Sequence, residues 1–249
     1  IHFLPTRGQP LVCGLLRNSE MGQAVLKIFS VKGVEMLVCF DLDGTLEDSR
    51  ADMVAAIQQV RSDLGLNPRT YDGLVPWVSK GMPKLYANGF DDVDEEICSE
   101  IPILYAEAYA KVITQSTCLY DGIHQMLQLL SGTVSMAVVT NKPEGLSRLL
   151  LQKLGVLDHF ITVVGGDTFD FAKPNPGMLK GAMERCGLTG PCIMVGDSAG
   201  DILMAQAFGA IPVWCEWGYH EALSVVQPDY TVKEPYEVTA IVESMLTED

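Results

Sequence analysis

Positive charge is scarce in this chain: 17 lysines and arginines stand against 32 aspartates and glutamates in 249 residues, a formal net charge of −15. Nucleic-acid surfaces need clustered Lys and Arg to neutralise phosphates, so the balance argues against DNA or RNA as a partner. Histidine is sparse as well, with four residues at 2, 124, 159 and 220 too scattered for zinc-ligand spacing. The seven cysteines are an odd set without a CxxC pair, and Cys39 and Cys192 lie in apolar runs. Neither a disulfide framework nor a structural metal is expected, and a reducing, cytoplasmic compartment is the simpler reading. No apolar stretch approaches the roughly 18 residues that span a bilayer, which predicts a soluble chain without a membrane partner. Internal repeats and low-complexity tracts are lacking too.

What is present is apolar content, 48% of the residues, enough to bury a large core with a smaller insert. Short apolar runs rich in β-branched residues recur at 36–40, 134–139, 161–164, 192–195 and 211–215. Helical patterns separate them. Leu146, Leu149, Leu150 and Leu154 repeat at helical spacing and stop at Gly155, a suitable residue just beyond a helix end. Strands joined by crossover helices make a parallel sheet covered on both faces, so the expected fold is α/β, a doubly wound parallel sheet.

Nearly a hundred residues separate the first run from the second, which implies an inserted α-helical cap. Met53, Ile57, Val60 and Leu64 mark one helix ending at Gly65, and Ile97, Ile101, Leu104, Tyr105, Ala108 and Val112 mark another, bent near Pro102. The expected division is a core of 36–50 and 119–249, a cap of 51–118, and an extension of unassigned role at 1–35. That leading segment lacks the long apolar region and cleavage site of a secretory signal, and Met36 could be a native start.

Chemistry concentrates at the ends of the apolar runs. Phe40-Asp41-Leu42-Asp43-Gly44-Thr45-Leu46 sets two carboxylates one residue apart directly after the first run. Open parallel sheets bind ligands at the carboxyl ends of their strands, where desolvation and mutual repulsion oppose two ionised acids without a cation. An isolated DxDG reads equally well as a polar turn with a helix cap. Three further strand ends change that balance. Thr140 and Asn141 offer a hydroxyl and an amide to phosphoryl oxygens, although such a pair alone is more often a cap. Lys173 precedes Pro174 and Pro176, which stiffen its loop and suit it to a fixed point charge. Asp197 and Asp201, four apart after the fourth run, suit a magnesium site.

With DLDGT at 41–45, TN at 140–141, KP at 173–174 and GDSAGD at 196–201, the chain resembles the haloacid dehalogenase superfamily of hydrolases. The resemblance covers about Met36 to Glu237. FDLDGTLEDS, WVSKG at 77–81, VVTNKP at 138–143 and VVGGD at 163–167 are closest to the phosphoglycolate phosphatases of that group. The resemblance implies a Mg²⁺-dependent phosphatase for a small phosphate ester, with 2-phosphoglycolate as the best guess. Asp41 would be the nucleophile and Asp43 the general acid and base. Mg²⁺ would sit on Asp41, the Asp43 carbonyl and Asp197, with Asp201 completing or orienting the site. Lys173, Gly44, Thr45, Thr140 and Asn141 would hold the phosphoryl group.

The core motifs say nothing of what the phosphate is attached to. Lys80 and Lys84, beside Gly81, are the candidates for the rest of the substrate, against the commoner reading of solvated helix lysines. Trp77 and Tyr86 read as packing residues. A phosphosugar mutase or another sugar-phosphate or pyrophosphate hydrolase of the same superfamily shares these motifs, and a regulatory binding protein could keep the fold. Either a monomer or a homodimer is compatible with the sequence.

Overall fold

A computed structural model describes residues 36–219 and 226–247. The proposed extension at 1–35 lies outside the described residues. In chain order the elements are β1 (Leu37–Phe40), β2 (Glu47–Asp48), α1 (Arg50–Asp63), α2 (Tyr71–Val78), α3 (Met82–Gly89), α4 (Glu95–Cys98) and α5 (Ile101–Val112). There follow β3 (Cys118–Leu119), α6 (Ile123–Leu130), β4 (Ser135–Val139), α7 (Glu144–Lys153), β5 (Thr162–Val164), α8 (Gly177–Cys186), β6 (Cys192–Gly196), α9 (Ala199–Phe208), β7 (Ile211–Cys215), β8 (Tyr230–Val232) and α10 (Pro235–Thr247).

Alternation along the strands explains why their runs are apolar throughout. Val38, Phe40, Met136, Val138, Ile193 and Val195 point into one core, while Leu37, Cys39, Ala137, Val139, Cys192 and Met194 point into a second on the opposite face. Each such side chain is worth roughly 1.5–3 kcal/mol on burial, so neither face tolerates a polar intruder. The sheet order is β5-β4-β1-β6-β7-β8, and every pairing is parallel. Beyond β1 the chain builds β4 and β5 on one side, then crosses back to add β6, β7 and β8 on the other. That reversal is the switch point at which an open parallel sheet leaves a crevice.

Register brings the loops together. Phe40 lies opposite Val138 and Val195, and Val139 lies opposite Val164. The loops that begin at Asp41, Thr140, Gly165 and Asp197 therefore leave one edge of the sheet at nearly the same height.

The insert runs from α1 to α5, flanked by an antiparallel ribbon in which Glu47 pairs with Leu119 and Asp48 with Cys118. Its apolar positions join the first core, and α1 packs along α5. Two buried polar groups fix it. The Arg61 guanidinium, 1% exposed, donates to the Asn67 carbonyl at 2.7 Å, the Gly89 carbonyl at 2.6 Å and both Asp92 oxygens at 2.8 and 2.7 Å. Asp52 accepts from the backbone N–H of Ser116 and Thr117 and from the Thr117 hydroxyl at 2.7–3.0 Å, tying the start of the insert to its exit.

Three expectations change. The helix expected to run through 97–112 with a bend is two helices, and Pro102 sits in the first turn of α5, where its missing N–H costs no hydrogen bond. The strand in the run at 161–164 is Thr162–Val164; Ile161, whose side chain is 58% exposed, enters it by donating its N–H to the Met136 carbonyl at 2.9 Å. β8 is a sixth strand that the sequence does not announce, because Tyr230 and Thr231 are exposed and three residues carry no readable period. Cys39, Cys192 and Cys215 are buried free thiols, and no described helix is long and apolar enough to cross a membrane.

Candidate active site

One cavity, of about 520 Å³ including its open mouth, lies over the carboxyl edge of the sheet where the insert meets it. Asp41, Asp43, Thr140, Asn141, Lys173 and Asp197 all line it, so four separate strand ends converge there. Asp41 is held at the end of β1 by its own chain: the Leu42 N–H donates to Oδ1 at 2.7 Å, and Lys173 Nζ pairs with the same oxygen at 2.7 Å. Neither bond uses Oδ2. Lys173 also donates to Asp201 Oδ1 at 2.8 Å, and its side chain is 4% exposed. Burial alone would lower the Lys173 pKa, but Asp201 and Asp41 raise it, so the ammonium stays charged. Its loop is anchored in turn, since the Lys173 N–H donates to Asn141 Oδ1 at 2.9 Å.

The second acid pair follows β6. Asp201 caps α9 by accepting from the Ser198 N–H at 3.1 Å and the Ser198 hydroxyl at 2.6 Å, both through Oδ2. With Lys173 on Oδ1, both its oxygens are engaged. Asp197 accepts from the Tyr219 N–H at 2.7 Å and the Thr45 hydroxyl at 3.3 Å. Glycines cut the space for these acids: a Cβ on Gly44, which has φ +86°, or on Gly218 would strike the Asp197 carboxylate, and one on Gly196 would strike Asp201. Gly44 and Thr45 thus shape and brace Asp197, and neither is part of the cavity lining.

Asp41, Asp197 and Asp201 are buried, and each brings a carboxylate oxygen within 4.8 Å of the others. Burial, reinforced by Asp201 and opposed by Lys173, raises the Asp41 pKa to about 6. Burial together with Asp41 and Asp201 pushes Asp197 up to about 8. Crowded anions with depleted hydration and an all-oxygen donor set fit a hard divalent cation. Because Asp201 is already saturated by Lys173 and Ser198, it suits orientation better than direct ligation.

Asp43 stands apart from that cluster. Burial works to raise its pKa, but Lys142, with help from the Ser49 hydroxyl, overcomes this and holds the carboxyl below its ordinary range. Lys142 Nζ and the Ser49 hydroxyl both donate to Asp43 Oδ1. This partner favours the ionised, base-competent form in the free site, so a proton that Asp43 is to donate has to arrive with the substrate.

Lys142 is the main residue that sequence reasoning passes over. It follows Thr140 and Asn141 in VVTNKP, yet a lysine next to a proline ordinarily reads as solvated. Here it is 3% exposed. Its loop is drawn inward by a glycine pair: the Gly166 N–H donates to the Lys142 carbonyl at 2.9 Å, and a Cβ on Gly165 or Gly166 would collide with backbone of residues 141–144. Glu47 is also buried, with no hydrogen-bond partner on either oxygen, and burial pushes its carboxyl well above the usual range.

The insert supplies Met53, Val78, Ser79, Gly81 and Met82 to the cavity wall. Lys80 and Lys84 are exposed and do not line it. Val78 and Leu85 turn inward to pack, which carries the intervening lysines outward. Trp77 and Tyr86 pack against the core.

A family model of haloacid dehalogenase-like hydrolases matches residues 38–214. A phosphoglycolate phosphatase of Xanthomonas campestris pv. campestris is 38% identical over 205 residues, covering 80% of this chain and 92% of its own. One from Pseudomonas putida is 36% identical over 192 residues, covering 74% and 70%. Among solved structures, a protein described as a predicted phosphoglycolate phosphatase from Haemophilus somnus superposes with a TM-score of 0.74 at 25% identity, over 83% of this chain and 97% of that one. The match runs from β1 through most of β7, the stretch that carries all four converging strand ends, and the chain accordingly belongs to the haloacid dehalogenase-like hydrolase family as a phosphoric monoester hydrolase.

Proposed function

We propose that the chain is a Mg²⁺-dependent phosphatase for a small phosphomonoester, 2-phosphoglycolate first among them, working through an aspartyl-phosphate on Asp41. The reading is carried by Lys173 pairing with Asp41 at 2.7 Å in the cavity that Asp197 shares. A nucleophilic carboxylate beside a fixed cation is what a phosphate dianion requires in a protein of net charge −15.

In the first step an Asp41 oxygen attacks phosphorus, the bond from phosphorus to the ester oxygen breaks, and Asp43, ionised in the free site and protonated by the incoming phosphate monoanion, delivers that proton to the departing alkoxide. Water then attacks the acyl phosphate while Asp43 takes its proton, releasing inorganic phosphate and freeing Asp41. Lys173, Thr140 and Asn141 bear on the phosphoryl oxygens, where positioned donors act on developing charge. Asp41, Asp197 and the Asp43 carbonyl would hold Mg²⁺, oriented through Asp201, and the ion would neutralise phosphoryl charge as a Lewis acid. Residues 51–118 serve as a cap over a core of 36–50 and 119–249, excluding bulk water and selecting the alcohol. The small, roofed cavity favours metabolite-sized esters over polymers.

The deciding experiment assays 2-phosphoglycolate, hexose phosphates, nucleotides and pyrophosphate with Mg²⁺ and again with EDTA. Metal-dependent release of phosphate, fastest from 2-phosphoglycolate, is expected. Turnover that is indifferent to EDTA would remove the metal, and equal rates across the panel would remove the substrate assignment.

A further inference from the structure

We infer that Lys142 is the specificity-determining cation of this site, receiving a carboxylate carried on the carbon next to the scissile ester oxygen. The inference rests on the phosphatase reading above and names the substrate class within it: phosphate esters of short 2-hydroxycarboxylic acids. Among the described residues, two cations line the cavity, Lys142 and Lys173. Lys173 is committed to Asp41 at 2.7 Å and Asp201 at 2.8 Å, which assigns it to the phosphoryl end. Lys142 marks the other end. Its ammonium pairs with Asp43, lies 4.8 Å from the centre of the Tyr109 ring and 3.9 Å from Met53 Sδ. Tyr109 and Met53 belong to the insert, so the charge is clamped where core and insert meet, between Asp43 and two residues the phosphoryl chemistry does not use.

Distance supplies the chemical class. A proton donor must come within about 2.6–3.2 Å of the ester oxygen it protonates, so Asp43 stands beside that atom. Lys142 Nζ is bonded to Asp43, and its remaining reach covers groups one or two bonds beyond the ester oxygen. A carboxylate on the adjacent carbon falls there. An uncharged alcohol would leave the ammonium with Asp43 as its only carboxylate partner. Nothing else on that wall could neutralise an anion, because Val78, Ser79, Gly81 and Met82 bring no charge. In a chain of net charge −15, a second negative group on the substrate needs its own buried cation to enter at all.

The test measures kcat/KM, with Mg²⁺, for 2-phosphoglycolate and for 2-hydroxyethyl phosphate, which replaces the carboxylate by an uncharged hydroxymethyl group. The enzymes are the unmodified chain, Lys142→Met and Lys142→Arg. The unmodified chain is expected to prefer 2-phosphoglycolate by about 10- to 100-fold, the range for a charged hydrogen bond. Lys142→Met should erase that ratio while Lys142→Arg keeps part of it. A Lys142→Met enzyme that loses the same factor on both esters, or keeps the preference, would overturn the inference, since Lys142 would then act through Asp43 alone. If Lys142→Met does not fold, judged by its circular dichroism melt, the ratios for the unmodified chain and Lys142→Arg decide: no preference in the former, or none surviving in the latter, sinks it. Hydrolysis of both esters at equal rates by the unmodified chain overturns the inference and leaves the phosphatase standing. Hydrolysis of neither fails the phosphatase itself.

Discussion

The core loops and the insert bury polar groups in opposite ways. At the strand ends every buried charge faces the cavity or a neighbour that does: Lys173 bridges Asp41 and Asp201, Lys142 pairs with Asp43, and Asp197 is braced by Thr45 and Tyr219. In the insert, Arg61 and Asp52 spend their hydrogen bonds on the insert's own backbone, on Asp92 and on its exit, while its wall residues are Met53, Val78, Ser79, Gly81 and Met82. Charge belongs to the core and shape to the insert. Substitutions in the first should change chemistry with little loss of fold, and those in the second should change fold or fit with little direct effect on chemistry.

The strongest challenge to that division is Asp41→Asn. Turnover should fall by about 10⁶-fold, as when a covalent nucleophile is removed, while the melting temperature stays within a few degrees. A variant that retains normal turnover would place the nucleophile elsewhere.

Arg61→Ala should do the reverse. It strands the Gly89 and Asn67 carbonyls and the Asp92 carboxylate, which is itself 40% exposed and softens the loss, so a destabilisation of about 2–3 kcal/mol is expected in a urea melt. The protein that remains folded should retain near-normal kcat.

Asp197→Asn separates charge from stability within the core. Apparent Mg²⁺ affinity, read by titrating activity, should weaken by about 10- to 100-fold. The metal-free protein should melt higher, because one of three crowded acids is gone.

The pH dependence of the metal-free protein follows from the same crowding. Asp41 and Asp197, at about 6 and about 8, bind protons more tightly folded than unfolded, where a carboxyl titrates near 3.9. Between these limits the native state holds more protons than the unfolded one, so stability contributed by these groups declines as pH rises from about 4 to about 8. Calorimetric scans across that window should show the decline, and saturating Mg²⁺ should flatten it. An unchanged slope with the ion would disconnect these acids from the metal.

The smallest effect belongs to Lys80→Ala and Lys84→Ala. Both side chains are exposed and off the cavity wall, so kcat/KM for 2-phosphoglycolate should change by less than about twofold. A tenfold rise in KM for either would mean that the insert closes far enough to bring that lysine in.

The strand ends were readable because an apolar run that stops on an acid, a hydroxyl-amide pair or a glycine-acid pair is hard to explain as packing. Asp41, Thr140 and Asp197 could therefore be found from local sequence, and the parallel sheet order explains why they meet. Lys142 could not be found in that way. Its burial depends on Gly165 and Gly166, more than twenty residues further on, which let the loop sink toward Asp43. Arg61 reads as an ordinary polar position at the end of a helix, and only the fold brings the Gly89 carbonyl and Asp92 to it. The helical period of 97–112 hides the break at Ser99 and Glu100, since the apolar spacing continues from Ile97, half-buried in a four-residue helix that buries nothing fully, into the buried positions of α5.

By itself the sequence determined the alternation of apolar strands and crossover helices, the insert after β1, and the identity of the acids and the lysine at the strand ends, because each depends on neighbours a few residues away. The tertiary structure decided which lysines are buried cations and which are solvated, where Asp43 sits on the pH scale, and which residues of the insert face the cavity. Those properties depend on desolvation and on partners distant in the chain, and desolvation exists only once the chain has closed around the group.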